Sequence, residues 1–393
     1  EKYFGDKIGI YHSRFSKEER VEIWNKVKDV DKEKRYQIII GSRASLFLPF
    51  SELGLIIVDE EHDGGYKQRE PAPRYNARDA AIYLATLHKS KVLLGSATPS
   101  LETYFNTQIE KYGYVSLNER YLNTPMPRIE IANMKEDYIN KRNYSIFSSL
   151  LYDRIIQTLN NHKQVIIFKN QRGYASNIRC EVCGWVAKCP NCDVSLTYHK
   201  QWNSLNCHYC GLNLPLYSEC PECHSHSLVQ SGNGSEKIEE EILRFFPNAR
   251  VKRMDLDTTR KKNDYLEIIQ DFEKGNIDIL CGTQIITKGL DFSNVGLVGV
   301  IDADSLLYYP DFRAYERCFD LLTQVAGRAG RLKEKGAVVI QSFNPNHQIF
   351  KEVLNYDYAS MYKNQIVERK LFSYPPFVYL TKILFQSKDK DVL

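Results

Sequence analysis

The stretch LGLIIVDEEHD, residues 53–63, contains the pattern on which the fold prediction rests. Its apolar part, residues 53–58, is typical of a buried strand in a parallel sheet. The acidic part begins where that strand ends, at the edge where α/β sheets bind ligands. There Asp59 can hold Mg²⁺ through a water molecule, and Glu60 can orient the water that attacks a γ-phosphate. The alternative is that these acidic residues only cap a following helix.

A second short motif, QVAGRAGR at residues 324–331, has the positive charge that such a site requires. On a helix, Gln324, Arg328 and Arg331 would share one face. Arginines in that arrangement can neutralise charge on a transferring phosphoryl group. The alternative is that they only complement the dipole at a helix end. Taken together, the two motifs predict the two halves of an ATP-driven motor.

The cysteines give an independent signal. Eight of the ten lie in four C-x-x-C pairs, at 180/183, 189/192, 207/210 and 220/223. Each pair puts two thiolates on one tight turn, and two such turns complete a tetrahedral Zn²⁺ site. Gly184 and Gly211 directly follow their pairs, where the turn can require a positive φ. Disulfides are disfavoured because the sequence has no recognisable signal peptide and a cytoplasmic motor would keep its thiols reduced.

The spacing of the pairs favours a nested arrangement of two zinc sites. The short gap between Cys183 and Cys189 and the longer one between Cys192 and Cys207 make neighbouring inner pairs the better partners. The predicted sets are Cys180, Cys183, Cys220 and Cys223 for one ion, and Cys189, Cys192, Cys207 and Cys210 for the other. The nearby histidines are interpreted as surface residues: His199, His208, His224 and His226. Cys281 and Cys318 are predicted to be buried small apolar residues.

Composition sets broad bounds. A chain of 393 residues is too long for one core, so two or three domains are expected. No run of 18 apolar residues occurs, which predicts no membrane span. Two Zn²⁺ ions held by eight thiolates would cancel the formal charge of +4, so net charge gives no evidence for DNA binding.

Local charge does suggest a DNA contact. The segment GGYKQREPAPRYNARDAA, residues 64–81, interleaves tyrosines with basic residues directly after the acidic motif. Aromatic rings can stack on unpaired bases while cations hold phosphates. The predicted single-stranded DNA contacts are Tyr66, Lys67, Arg69, Tyr75 and Arg78. The alternative is a solvated loop with two half-buried tyrosines.

Three further motifs carry a resemblance to superfamily 2 helicases: GSRASLF at 41–47, LLGSATPS at 93–100 and DILCGTQIITKGLDF at 278–292. With the cysteine pairs, the variants GTQxxxKGxDF and QVAGRAGR resemble the primosomal helicases of bacteria. The resemblance implies that Ser96 and Thr98 link the ATP site to the DNA site. It places further residues at DNA: Arg43, Arg172, Thr283 and Lys288. It places others at nucleotide: Glu61, His62, Gly289, Asp291 and Gln324.

Strand-like runs alternate with helical stretches along the chain. This alternation, together with the resemblance, predicts an α/β fold with two RecA-like parallel-sheet lobes. The expected parts are a first lobe at 1–122, a connector at 123–147, a second lobe at 148–177 and 230–345, a double zinc module inserted at 178–229, and the start of a C-terminal α+β domain at 346–393. No G-x-x-x-x-G-K-[ST] motif occurs in the chain. The resemblance puts that motif upstream, so we expect the chain to be a fragment that is inactive alone.

The function that the resemblance implies is an ATP-dependent 3′→5′ DNA helicase of replication restart, acting at stalled forks and D-loops. It implies two Zn²⁺ per chain, Mg²⁺, ATP as substrate, and a monomer in the bacterial cytoplasm. The implied partners are single-stranded and forked DNA, primosome proteins, single-strand-binding protein and the machinery that loads the replicative helicase. In the segment FKNQRGYA the family usually has two arginines, whereas this chain retains only Arg172. Two alternatives stay open: a zinc-bearing DNA-binding scaffold with an inactive ATPase, and a double-strand translocase.

Overall fold

The computed structural model describes residues 3–12, 15–119, 126–169, 177–199, 202–230, 235–255, 258, 262–283, 292–329, 336–381 and 383. The chain divides into two compact units, residues 1–112 and 113–393. Among the described residues, no helix has the length and apolar character that crossing a membrane requires.

The first unit contains two pairs of parallel strands, as the sequence predicts. Strand β1 (Ile8–Tyr11) pairs with β2 (Ile38–Gly41), and β3 (Leu55–Val58) pairs with β4 (Lys91–Leu94). Three helices accompany them: α1 (Lys17–Lys28), α2 (Ala77–His88) and α3 (Leu101–Gln108). The residue before each helix caps it with a side chain that accepts a backbone N–H of the first turn. These capping residues are Ser16, Asn76 and Ser100 respectively. These caps satisfy donors that the first turn leaves unpaired.

The second unit is built on one six-stranded parallel sheet in the order β12-β13-β6-β14-β15-β5. Its strands are β5 (Arg128–Asn133), β6 (Gln164–Lys169), β12 (Val251–Met254), β13 (Ile279–Gly282), β14 (Val295–Ile301) and β15 (Ala337–Ser342). Its helices are α4 (Met134–Ile139), α5 (Ser149–Asn160), α6 (Ser235–Phe245), α7 (Lys262–Glu273), α8 (Asp304–Leu307), α9 (Ala314–Ala326), α10 (Gln348–Leu354) and α11 (Tyr358–Leu371). The predicted α/β fold is confirmed.

One hydrophobic cluster of this unit packs α5 and α6 against the sheet. Phe147, Leu151 and Ile155 are fully buried against the strands. Gly299 on β14 allows this close packing, because a Cβ there would lie 2.8 Å from Cδ1 of Leu151. An apolar layer of this kind stabilises the sheet by removing side chains from water.

Two predicted boundaries differ from the structure. The segment predicted as a connector, 123–147, contributes β5, which pairs in parallel with β15 at the edge of the sheet. The segment 346–393, predicted as the start of another domain, includes α10 and α11, which pack on α9. Both differences arise because these contacts join segments that are far apart in sequence, which local patterning does not encode. The segment SYPPF, residues 373–377, follows α11 and forms turns.

The zinc module interrupts the second unit, as predicted. It is entered through β7 (Ile178–Cys180) and left through β11 (Leu228–Gln230), which pair antiparallel. A second small sheet contains β8 (Thr197–His199), β9 (Ser204–Asn206) and β10 (Asn213–Pro215). A cluster of buried side chains includes Leu196 and Leu205 together with Cys189 and Cys207.

Candidate functional site

The acidic motif lies at the carboxyl ends of β3 and β4. The N–H of Gly95 donates to the Val58 carbonyl at 2.9 Å, and the N–H of Glu61 donates to the Gly95 carbonyl at 3.0 Å. These bonds hold the turn that follows β3 against the end of β4. Glu60 has a φ of +49°, a left-handed conformation that is uncommon outside glycine. The backbone of this turn is therefore fixed at the predicted site.

The first two carboxylates of the motif are accessible. Asp59 and Glu60 are both exposed, and Asp59 Oδ1 accepts the N–H of Glu60 at 3.0 Å. Mg²⁺ prefers oxygen ligands and keeps several waters, which suits accessible carboxylates of this kind. The donor set therefore fits the ion that the resemblance implies.

The third carboxylate has a different environment. The side chain of Glu61 is 1% exposed. Its Oε1 accepts the N–H of Ser100 at 2.7 Å, and its Oε2 accepts Nη1 of Arg78 at 3.0 Å. The hydroxyl of Thr103 also donates to Oε2 at 2.9 Å. All these bonds are internal to the first unit, and direct contact of Glu61 with nucleotide stays a prediction.

His62 connects the acidic motif to the segment after β4. Its Nδ1 lies 2.7 Å from the hydroxyl oxygen of Ser96, within hydrogen-bond distance. That hydroxyl oxygen also accepts the N–H of Thr98 at 3.0 Å. The two segments that the helicase resemblance links are thus directly bonded here.

The aromatic and basic segment forms a small loop closed by backbone and side-chain bonds. Lys67 and Asn76 form a β-bridge across its base. The hydroxyl of Tyr66 donates to the Asp59 carbonyl at 2.6 Å, and burial raises the pKa of Tyr66. Tyr75 packs edge-on against Phe47 with ring centroids 5.1 Å apart. The loop is therefore joined both to the acidic motif and to the turn that begins at Arg43.

The predicted DNA contacts differ in accessibility. Lys67 and Arg69 are exposed, whereas Tyr66, Tyr75 and Arg43 are half-buried. The guanidinium of Arg78 is 15% exposed and bonds to Glu61 and to the hydroxyl of Ser100. The prediction that Arg78 contacts DNA is thus at odds with its position, because a cation held by an internal carboxylate is not available to phosphate.

The motif that contains Gln324 and Arg328 begins at the end of α9 in the second unit. Gln324 is in the last turn of that helix, which ends at Ala326, and Arg328 follows in a turn where its N–H donates to the Val325 carbonyl at 3.0 Å. The prediction that one helical face carries Gln324, Arg328 and Arg331 is therefore wrong for Arg328, because the helix stops first. Thr283 directly follows β13 and is half-buried. The remaining predicted residues lie outside the described ones: Arg172, Lys288, Gly289, Asp291 and Arg331.

The eight paired cysteines form two groups of four. One contains Cys180, Cys183, Cys220 and Cys223, and the other contains Cys189, Cys192, Cys207 and Cys210. Within each group the sulfur atoms lie within 4.8 Å of one another. The structure therefore brings together the same nested sets that the sequence predicts.

The sulfur geometry fits zinc and not disulfides. The Sγ atoms of Cys180 and Cys223 are 3.6 Å apart, and those of Cys183 and Cys220 are 3.5 Å apart. A tetrahedral site with Zn–S bonds of about 2.3 Å places its sulfurs about 3.8 Å apart, whereas a disulfide needs about 2.0 Å. The N–H of Leu212 lowers the pKa of Cys210 to about 6, which favours the thiolate that zinc binds.

All four cysteine turns share one backbone geometry. In each, the N–H of the residue after the second cysteine donates to the carbonyl of the first, at 2.8 to 3.0 Å. That residue has a positive φ in every turn: Gly184 at +79°, Asp193 at +51°, Gly211 at +76° and His224 at +58°. The sequence indicates this requirement only at the two glycines. Asp193 and His224 meet it too, which their residue types do not reveal.

The other cysteines and three of the four histidines are placed as predicted. Cys281 and Cys318 are 1% and 0% exposed, so their prediction as buried residues is confirmed. Neither zinc group includes a histidine. His208, His224 and His226 are exposed and His199 is half-buried, with its Nε2 3.4 Å from that of His208.

Sequence reasoning missed the residues that connect these sites to the fold. Ser100 and Thr103 bond the buried carboxylate, and Phe312 and Tyr374 contact the zinc module. Only Ser100 carried a signal, because a serine before a helical segment is a common cap. The others are recognisable only from their tertiary contacts.

Comparisons with known protein families find matches in the cysteine-rich module and in the segment that follows it. A profile described as "PriA DNA helicase Cys-rich region (CRR) domain" matches residues 189–215, and one described as "Helicase conserved C-terminal domain" matches residues 225–333. Among solved structures, the chain resembles the DUF1998 helicase MrfA bound to DNA with a TM-score of 0.48 and 11% identity, covering 92% of this chain and 42% of that one. That likeness is too low to bear on function.

Curated relatives are much more similar in sequence. Replication restart protein PriA of Bacillus subtilis (strain 168) is 43% identical over 386 residues, covering 98% of this chain and 47% of that protein. Its counterpart from Chlamydia pneumoniae is 41% identical over 387 residues, covering 98% and 51%. The chain thus spans about half the length of these relatives. On this identity along nearly its whole length, the chain belongs to the PriA family of replication restart proteins.

Proposed function

We propose that the protein containing this chain is an ATP-dependent DNA helicase of replication restart that moves 3′→5′ on single-stranded DNA at stalled forks and D-loops. One observation carries the proposal: the acidic motif is bonded to both segments that would respond to DNA. His62 reaches Ser96 at 2.7 Å, and the Tyr66 hydroxyl reaches the Asp59 carbonyl at 2.6 Å. A change in either segment would therefore alter the position of the acidic motif.

Each of the three acidic residues would have a different role. Asp59 would hold Mg²⁺, which when bound with ATP neutralises charge on the phosphates. Glu60 would orient and deprotonate the attacking water, and its exposed carboxylate leaves room for that water. Glu61 would keep both in place, since its own carboxylate is held by Ser100 and Arg78.

The second unit would contribute positive charge. Arg328 and Arg331 would contact the γ-phosphate, with Gln324 beside them, because guanidinium groups stabilise charge on a transferring phosphoryl. Gly289 and Asp291 would also face nucleotide. Thr283, Lys288 and Arg172 would face DNA together with Arg43, Lys67 and Arg69.

The remaining expectations follow from the family. The zinc module would help to separate the duplex and to engage primosome proteins. Single-strand-binding protein and the loading machinery of the replicative helicase would be further partners. The protein would work as a monomer in the bacterial cytoplasm.

Hydrolysis tests the proposal directly. In the full-length protein, Glu60→Gln should lower DNA-stimulated ATP hydrolysis by about 10²- to 10⁴-fold, the usual contribution of a general base. DNA binding should stay within about twofold. Glu52→Gln is the matched control, since Glu52 is an exposed carboxylate of the same unit. No stimulated hydrolysis in the unaltered protein would instead favour the zinc-bearing scaffold.

A second experiment tests the aromatic and basic segment at residues 64–81. Replacing Tyr66 and Arg69 together by alanine should reduce DNA stimulation of hydrolysis and change basal turnover much less. Tyr66→Phe isolates the hydroxyl that donates to Asp59. Unaltered stimulation in the double variant would favour the alternative, a solvated loop that does not contact DNA.

A further inference from the structure

The zinc module is connected to the second unit by two adjacent strands. Strands β7 and β11 pair antiparallel, with Cys180 opposite Leu228, and both lie at the same end of the module. An insertion held only by neighbouring strands can rotate about them as a hinge. A second point of contact, outside these strands, would help to fix its orientation.

The strands themselves are anchored close to the sheet. Nη1 of Arg179 lies 2.9 Å from Oδ1 of Asp302, and both side chains are less than one-fifth exposed. The same guanidinium lies 4.6 Å from the ring centroid of Phe343. These contacts fix the base of the module where β14 and β15 end.

The second point of contact is made by three aromatic residues. The hydroxyl of Tyr374 donates to the Cys192 carbonyl at 3.1 Å. The N–H of Phe312 donates to the hydroxyl oxygen of Tyr209 in the module at 3.4 Å. The rings of Phe312 and Tyr374 stack at 4.6 Å with an interplanar angle of 14°. We call Tyr209, Phe312 and Tyr374 the aromatic joint.

A buried ion pair next to Phe312 supports the aromatic joint. Nη2 of Arg369 lies 2.6 Å from Oε2 of Glu316, with the two side chains 1% and 5% exposed. Nη1 of Arg369 donates to the Pro375 carbonyl at 3.1 Å, and the guanidinium lies 5.0 Å from the ring centroid of Phe312. The aromatic joint is thus tied to both α9 and α11 through groups that water does not reach.

The joint lies at one end of α9, and Gln324 and Arg328 lie at the other. Phe312 precedes the helix, and Gln324 is in its last turn. A helix of this length spans about 20 Å as a stiff element. The module is therefore attached to the same rigid element that carries Gln324.

We propose that Phe312 and Tyr374 are positioning residues that lock the zinc module to α9, so that the module moves with the second unit as one body during unwinding. The inference rests on the proposed helicase function for its consequence but not for its geometry. Without the joint, the module would be held only at its base. Movement of the second unit would then shift the module less effectively against the duplex.

The test uses the full-length, zinc-loaded protein. Tyr374→Ala, alone and with Phe312→Ala, should reduce the rate of duplex unwinding at least tenfold, while single-stranded DNA should still stimulate ATP hydrolysis within about twofold. Tyr374→Phe keeps the ring stack and loses only the bond to Cys192, so it should fall between. Tyr379→Ala is the matched control, because Tyr379 lies on the same segment and is 101% exposed.

A second readout does not depend on activity. Amide hydrogen exchange should accelerate in the turn at residues 189–194 and in residues 309–313 of the Tyr374→Ala variant, with zinc content unchanged. Unchanged exchange would overturn the joint itself. Accelerated exchange with normal unwinding would overturn its role in coupling. If the unaltered protein fails to unwind, the helicase proposal fails while the exchange result still decides whether the joint exists.

Discussion

The guanidinium of Arg78 lies 3.0 Å from the carboxylate of Glu61, whose side chain is 1% exposed. This pair joins the third residue of the acidic motif to the helix that follows the aromatic and basic loop. Ser100 and Thr103 add hydrogen bonds to the same carboxylate. The loop is therefore held at both ends by the acidic motif, through Tyr66 at its start and Arg78 at its finish.

Removing Arg78 should destabilise the first unit. Arg78→Ala leaves a buried carboxylate without its cationic partner, a change that typically costs about 3–5 kcal/mol. Urea unfolding followed by a probe in the first unit would measure it. Arg35→Ala is the control, because its partner Glu52 is 57% exposed and such pairs contribute about 0–1 kcal/mol. Equal losses in the two variants would argue against a special role for the buried pair.

Metal analysis should find two Zn²⁺ per chain, following four thiolates per structural site. Cys189→Ser and Cys207→Ser should each remove one ion, and the double variant should lose no more than either alone, because these cysteines belong to one group. Cys180→Ser should remove the other ion. Cys281→Ser is the control, since Cys281 is equally buried but lies outside both groups. Independent losses from Cys189 and Cys207 would contradict the nested pairing.

The two turn glycines should respond differently to substitution. Both have a positive φ, which asparagine tolerates at modest cost. A Cβ at Gly211 meets nothing within 4 Å, whereas one at Gly184 would lie 2.8 Å from Cβ of Phe343. Gly211→Asn should therefore change chelator-driven zinc release little. Gly184→Asn should accelerate it at the Cys180 group, because the turn must move away from the sheet. Equal effects at both positions would refute this steric argument.

Acid should weaken the second unit through His347. Burial lowers the pKa of His347 from 6.5 to about 4, so the folded protein keeps it neutral. Its Nδ1 accepts the N–H of Ile349 at 3.3 Å and caps α10. Between these two pKa values the unfolded chain binds a proton that the folded chain does not. This contribution to stability is thus fully present above pH 6.5 and is lost as the pH falls towards 4.

The matched variant isolates that effect from other acid-sensitive groups. His347→Asn retains a capping side chain but does not titrate. The difference in urea midpoint between the original protein and the variant should therefore shift between pH 7 and pH 4.5, with the original protein losing more. A difference that stays constant with pH would exclude His347 as the source.

Local patterning determined a large part of this protein. The apolar run before Asp59 predicted β3, although the strand begins two residues later than predicted, at Leu55, and alternates between exposed and buried residues instead of being buried throughout. The cysteine spacing predicted which four thiols would meet, because each C-x-x-C turn brings its own two sulfurs together and the gaps between turns limit their partners. These features need only a few consecutive residues.

Only the tertiary structure decided which charged and aromatic residues are available. Arg78 was predicted to contact DNA from its place in a basic segment, yet it lies against Glu61, a partner 17 residues away on another element. Tyr374 lies in a short segment of turns, yet its hydroxyl reaches the backbone of Cys192, 182 residues earlier. Burial and partnership of a side chain depend on how separate elements pack, and no local pattern records that packing.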